Sequence, residues 1–191
     1  MEMRLATTAD RFAVVETVVT AFAEDPAFTA FFGGGDDFVE LCTRFARYLF
    51  DRRVHRDSAW VGHDGGVVAL WDRPDAPNSV SGDHAGIPLD IGADAQARLD
   101  AYDAAVHRAL PAEPHWYLGI LATHPDRRGG GLGRRLAGLG LVAARSDGVP
   151  AFLETTNPDN VRVYESSGWR VHAELPDVLD MTVWVMRHDG S

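Results

Sequence analysis

An α/β sheet fold, with a ligand bound at its strand ends, is predicted by three observations. An apolar run at 115–123 passes through His124-Pro125-Asp126 straight into Arg127-Arg128-Gly129-Gly130-Gly131-Leu132-Gly133-Arg134-Arg135. After that loop Leu132, Leu136, Leu139 and Ala143 recur at helical spacing, so the glycines open onto a helix N-terminus, where exposed amides and the helix dipole favour an anion. From there strand, helix and strand patterns alternate to the end of the chain, which suits an α/β sheet better than a bundle or a sandwich. The loop reads as a pyrophosphate cradle, because residues without a Cβ let successive N–H groups converge on phosphate oxygens.

Composition bounds the rest. With 191 residues and 46% hydrophobic content, one domain spanning 1–191 is expected. Cys42 is the only cysteine, which excludes an intramolecular disulfide or a cysteine-based zinc site and makes a reducing cytoplasm the natural compartment. The first residues lack the pattern of a signal peptide, and no apolar run approaches membrane-spanning length, so no membrane association is expected. Of the net charge of −10, residues 1–115 hold 19 acidic and 10 basic side chains, and all basic residues are arginine. That sign disfavours nucleic acid and attracts a cationic small molecule or peptide amine.

Taken in order, residues 4–6 read as a first strand, and Thr8 or Asp10 can cap a helix with Phe12, Val15, Val18, Val19 and Phe22 on its buried face, ending near Asp25-Pro26. A segment with Phe28, Phe31 and Phe32 runs to Gly33-Gly34-Gly35. Asp36 then starts a second helix that buries Phe38, Leu41, Phe45 and Leu49. Two strands, 58–61 and 67–71, meet at a His63-Asp64-Gly65-Gly66 turn. Residues 74–93 lack periodicity and read as a long loop, of a length that is usually functional or disordered. A third helix spans 94–110, a strand 115–123, and the helix after the glycine loop runs to about 146. Residues 151–155 form a fifth strand, Asn157-Pro158-Asp159-Asn160 opens a short helix ending near Gly168, and strands at 169–175 and 181–187 close the chain.

Register separates the possible phosphate loops. A dinucleotide fingerprint needs a third glycine where Arg134 or Leu136 stands, and a Walker-type loop needs a lysine that this chain lacks. What remains, Arg128-x-x-Gly131-x-Gly133, resembles the acetyl-CoA signature of the GCN5-related N-acetyltransferase (GNAT) superfamily. Leu121-Ala122-Thr123-His124-Pro125 before it, and Asn157 and Tyr164-Glu165-Ser166-Ser167-Gly168-Trp169 after it, look like the family's flanking strand and helix end. The resemblance implies a single-domain fold whose mixed central sheet, flanked by helices, is splayed between strands 4 and 5, with acetyl-CoA as co-substrate wedged there. It implies that the backbone of Leu121, Ala122 and Thr123 pairs with the pantetheine arm, that Arg128, Gly129, Gly130, Gly131, Leu132, Gly133 and Arg134 hold the pyrophosphate, and that Asn157 contacts the cofactor. Asn160 is expected to cap the helix or touch the pantetheine arm, with capping preferred.

Acyl transfer to an amine needs a neutral nucleophile, a stabilised carbonyl oxygen and a protonated leaving thiolate. Tyr164, with an intrinsic pKa of about 10, suits the last role, which is also the one the family gives it. The oxyanion donor is expected to be a backbone N–H near Leu121 or Ala122, where the resemblance implies a bulge in the fourth strand. Glu154 resembles a glutamate used as base in some members, although fewer residues separate it from the next Asn here; Glu24, Asp25, His115 or a water chain are alternatives. His63, His84, His107 and His172 lack metal-ligand spacing, so no metal is expected. Cys42, among apolar residues of a helix, is expected to be inert.

The resemblance therefore implies an acetyl-CoA-dependent N-acetyltransferase that transfers the acetyl group directly to a primary amine of a small molecule or peptide. The alternatives are a non-catalytic acyl-CoA-binding or regulatory module, and an O-acetyl or longer-acyl transferase. The acceptor's identity and the oligomeric state stay open at this level, family homodimers being common.

Overall fold

The computed structural model describes residues 2–75 and 89–190. Seven strands form one sheet in the order β1-β2-β3-β4-β5-β7-β6. They are β1 (Met3–Leu5), β2 (Ala59–Gly62), β3 (Val67–Asp72), β4 (Trp116–Thr123), β5 (Ala151–Thr155), β6 (Arg170–Val178) and β7 (Met181–His188). Every neighbouring pair is antiparallel except β4 and β5. The helices are α1 (Arg11–Ala21), α2 (Pro26–Phe32), α3 (Phe38–Val54), α4 (Ala93–Ala109), α5 (Leu132–Asp147) and α6 (Pro158–Glu165).

The parallel pair creates the site. Trp116, Tyr117 and Leu118 pair with Ala151, Phe152 and Leu153, and beyond that rung the strands part, β4 continuing to Thr123 and β5 to Thr155. The sheet is thus splayed between its fourth and fifth strands. On the other side of β4, Ile120 pairs with Leu70 but Leu118 pairs with Trp71, so Gly119 is an extra residue, a β-bulge at the start of the opening. The expected bulge is present, two residues earlier than Leu121.

Alternation along the strands gives each face of the sheet its own core. Phe152, Ile120, Ala122, Val183 and Val185 pack beneath α1 to α4 with the phenylalanines of α2 and α3. Trp71, Trp116, Leu118, Leu153 and Met186 pack under α5 with Leu136 and Ala144. The second contact is tight because Gly140 sits against Trp71: a Cβ there would stand 2.2 Å from the indole.

Several local expectations change. Phe12 is 81% exposed; α1 buries Val14, Val15, Thr17 and Val18, and a residue in its first turn at position 12 falls outside that stripe. The 26–32 segment is a helix of its own, because the Asp25 side chain accepts from the Ala27 and Phe28 amides at 2.9 and 3.2 Å and Pro26 needs no such partner. Asp10 closes a capping box with Thr7 ahead of α1 and also pairs with Arg4 at 2.8 Å. The hairpin turn matches its sequence, with His63, Asp64 and Gly65 all at positive φ. Of the loop expected at 74–93, residues 76–88, including His84, lie outside the described residues, and α4 begins at Ala93.

Candidate active site

Two cavities meet in the opening between β4 and β5. The first, about 1060 Å³, is a groove running from the glycine loop past α6. Its base is the N-terminus of α5. Gly131, at φ 66°, is the N-cap, and the first helical hydrogen bond, Arg135 N–H to Gly131 O, leaves the amides of the first turn without helical acceptors. No acidic side chain occupies that turn. Added Cβ atoms at Gly129 and Gly131 would meet nothing within 4 Å, so their positive φ, not space, is what requires glycine. Gly133 differs: a Cβ there would lie 3.1 Å from Thr123 Oγ1, so this glycine lets α5 start close against β4. Arg128 and Arg134 flank the groove, their guanidiniums donating to Ala21 O and Ser166 O, each at 3.3 Å. Leu121, Thr123, Asn157 and Asn160 also line it. Gly130, Gly131 and Leu132 complete the loop without appearing in the groove wall, and Ala122 is buried on the opposite face of β4.

The helix-capping role belongs to Asn157 and not to Asn160. Asn157 Oδ1 accepts from the Asp159 N–H at 2.9 Å, and φ −103°, ψ 116° puts it just outside α6. Asn160, one turn later, donates through Nδ2 to Thr155 Oγ1 at 3.4 Å and faces both cavities. A sequence Asn-Pro-Asp-Asn offers two candidate caps, and Pro158 decides between them, because proline belongs at the first helical position.

The second cavity holds about 160 Å³, comparable to one of ~150 Å³ that accepts benzene. It lies on the α1–α4 face and is walled by Phe22, Phe28, Phe31 and Tyr102, by Arg52 and Arg53 near Asp72, and by Tyr117 and Glu154. Arg53 donates to Asp72 Oδ2 at 2.5 Å and lies over the β4 bulge, where a Cβ on Gly119 would stand 2.9 Å from its Nη2. Glu154 accepts a hydrogen bond from the Tyr117 hydroxyl. Burial raises the Glu154 carboxyl to about 7, against the pull of that hydrogen bond. Burial, reinforced by the charge of Glu154, holds the Tyr164 hydroxyl well above its usual range, so it remains a proton donor. Phe22, Asp25, Leu121, Asn160 and Tyr164 belong to both cavities.

The other candidates separate cleanly. Asp25 sits at the junction but is the cap of α2, and burial raises its carboxyl. Glu24 lines only the groove. His115 lies outside both walls, stacked edge-on against Phe152 with Nδ1 2.8 Å from Glu113 O. Cys42 is buried in α3, and burial pushes its thiol up to about 12. Among the described residues no group of His, Cys, Asp or Glu is arranged to hold a metal, and no helix is long and apolar enough to cross a membrane. Sequence reasoning missed Tyr117, Arg52, Arg53 and Asp72. Strand alternation could have placed Tyr117 on the same face as its rung partner Phe152, and hence as Glu154; nothing local links Arg53 to Asp72, 19 residues away.

The glycine loop, the splay and the residues at its mouth coincide with a match of residues 94–169 to the family described as the Acetyltransferase (GNAT) family. Residues 94–169 thus match the GNAT family, and the whole chain is similar to solved acetyltransferase structures. Solved GNAT-type structures cover the whole chain. A Corynebacterium glutamicum protein described as histone acetyltransferase HPA2 and related acetyltransferase is 25% identical, with a TM-score of 0.72 over 99% of this chain and 96% of that one. Arylalkylamine N-acetyltransferase 2 from Aedes aegypti shares the fold at 14% identity, with a TM-score of 0.67 over 100% and 99%. The C-terminal condensation domain of Ebony, in complex with beta-alanyl-dopamine, shares it at 12% identity and a TM-score of 0.75 over 98% of each chain. The match to the GNAT family supports acyl transfer, for which that family implies acetyl-CoA as the co-substrate. The groove suits such a ligand on its own terms, since an uncapped helix start, two arginines and an open strand edge offer donors to phosphates and amides.

Proposed function

We propose that this protein is an acetyl-CoA-dependent N-acetyltransferase that transfers the acetyl group directly to the primary amine of a small molecule. One observation carries the reading: Tyr164 stands in the wall of both cavities, with the glycine-loop groove on one side and the chamber containing Glu154 on the other. In this account the pyrophosphate rests on the first turn of α5 between Arg128 and Arg134, and the pantetheine arm runs along Leu121 to Thr123 toward the bulge. The acceptor enters the smaller chamber. Glu154, raised to about 7, takes a proton from the ammonium near neutral pH and frees the nitrogen lone pair. The nitrogen bonds to the acyl carbon, the carbon–sulfur bond breaks, the sulfur takes the Tyr164 proton, and the second proton shed by the acylated nitrogen restores the Tyr164 hydroxyl.

The chamber's volume and aromatic wall favour an amine of roughly one ring over a peptide segment. Arylalkylamine N-acetyltransferases among the structural neighbours are in keeping with that size. The test is thiol release from acetyl-CoA across a panel of primary amines, alcohols and thiols. Release with amines, and none with alcohols, is expected. Release with alcohols alone would replace N-transfer by O-transfer, and calorimetric CoA binding without any release would favour the binding-module alternative.

A further inference from the structure

We propose that Tyr117 is the positioning residue for Glu154: its hydroxyl fixes one carboxylate oxygen across the opening between β4 and β5 and leaves the other to face the acceptor. The proposal rests on the reading of Glu154 as the base, and the geometry supplies the link between the two residues. Tyr117 and Phe152 are partners in the second of three parallel rungs, and Leu118–Leu153 is the last. Glu154 is the first β5 residue with no β4 partner; it pairs only with Val185 of β7. Two residues after Phe152, its side chain emerges on the same face as that of Tyr117. A phenol from the closed part of the sheet thus reaches the first carboxylate of the open part, to which it donates at Oε2. No β4–β5 backbone pairing continues past Leu118–Leu153, and this side-chain bond spans the two strands there.

The chemistry gives this bond a direction. Tyr117 is part-buried, and desolvation together with the Glu154 charge pushes its hydroxyl well above the usual range, so the phenol stays protonated and is the donor to Glu154. That donation favours the ionised carboxylate, opposing the burial that would otherwise hold it protonated. The other groups facing Glu154 act at longer range. From α4 come Tyr102, Asp103 and His107, the Asp103 charge raising the carboxyl and His107 lowering it; Tyr164 faces it from α6. Arg52 and Arg53 from α3 and Asp72 from β3 stand in the same chamber wall.

The experiment is Tyr117→Phe in the full chain, read in two ways. In the first, ¹³C-labelled glutamate is titrated by NMR, with Glu154→Gln identifying the resonance; the Glu154 midpoint should rise by about one unit. In the second, the acidic limb of kcat/KM for acetylation should move up by the same amount, so that activity falls about tenfold at pH 6.5 and recovers toward wild type at pH 9. Placing 3-fluorotyrosine at 117, a stronger donor of nearly the same shape, should move both midpoints down. An unmoved NMR midpoint in both variants, or equal loss of activity at every pH, would overturn the positioning role. A shifted midpoint alongside full activity of Glu154→Gln would instead leave the Tyr117 bond in place and remove Glu154 as the base.

Discussion

The groove and the chamber on either side of Tyr164 are made from different materials. The groove is backbone: the uncapped first turn of α5, glycines at φ 66° and 93°, and the freed edge of β4, with arginines only at its rim. The chamber is side chains: an Arg53–Asp72 pair, a Tyr117–Glu154 pair and an aromatic wall contributed by α1, α2 and α4. A backbone site recognises a ligand common to many proteins and tolerates change in most side chains. A chamber of buried charges depends on each partner, because removing one leaves another desolvated and unmatched. A backbone-built groove and a side-chain-built chamber thus share one sheet opening.

The comparison breaks first at Glu154. Glu154→Gln should lower kcat/KM about a hundredfold at neutral pH and abolish the acidic limb near pH 7, while CoA affinity measured by calorimetry stays close to wild type. The same raised carboxyl predicts a stability effect of definite sign. A group near 4.5 when unfolded and about 7 when folded favours the native state less as pH rises through that window. Melting curves from pH 4.5 to 8 should therefore show Glu154→Gln gaining on wild type as pH increases; parallel curves would mean the carboxyl is not raised.

On the groove side, Gly131→Val should weaken CoA binding by at least about tenfold, since a β-branched residue at φ 66° is strained by roughly 1–3 kcal/mol and relieving that strain displaces the first turn of α5. Gly131→Asn, which adopts this conformation more readily, should lose less. Normal calorimetric CoA binding by the valine variant would remove the loop from the cofactor site. A smaller effect, on stability alone, is expected beneath α5. Gly140→Ala drives a methyl into the fully buried Trp71 ring, an overpacking cost of about 1–3 kcal/mol, so the melting temperature should fall by about 5 °C. An unchanged melting temperature would mean that α5 does not clamp the sheet there.

The same difference in material explains what could be read without coordinates. The run from β4 through the glycine loop, α5, β5 and α6 is local: each element signals itself by period, glycine or proline within a few residues, and β5 falls at the predicted 151–155. The glycine-loop side of the groove is assembled from this run, so those residues were legible, whereas the facing wall at 20–26 comes from far earlier in the chain. The chamber is not local. Arg53 meets Asp72 across 19 residues and Tyr117 meets Glu154 across 37, and such pairings leave no periodic trace. Phe12 shows the limit within a single helix: apolar spacing alone puts it on the stripe, but the buried face depends on where α1 starts and what it packs against. Asn157 and Asn160 show how one residue, Pro158, settles a choice that residue type alone leaves open.

The claim that joins the two regions is that Tyr164 delivers a proton at their junction, and Tyr164→Phe tests it most directly. Acetyl-CoA thiol release with a competent amine and CoA affinity by calorimetry would be measured on the same preparation. The account predicts a fall in kcat of about 10²-fold or more, with CoA affinity within about threefold of wild type. An unchanged kcat, or a loss of CoA affinity that matches the loss of rate, would contradict it.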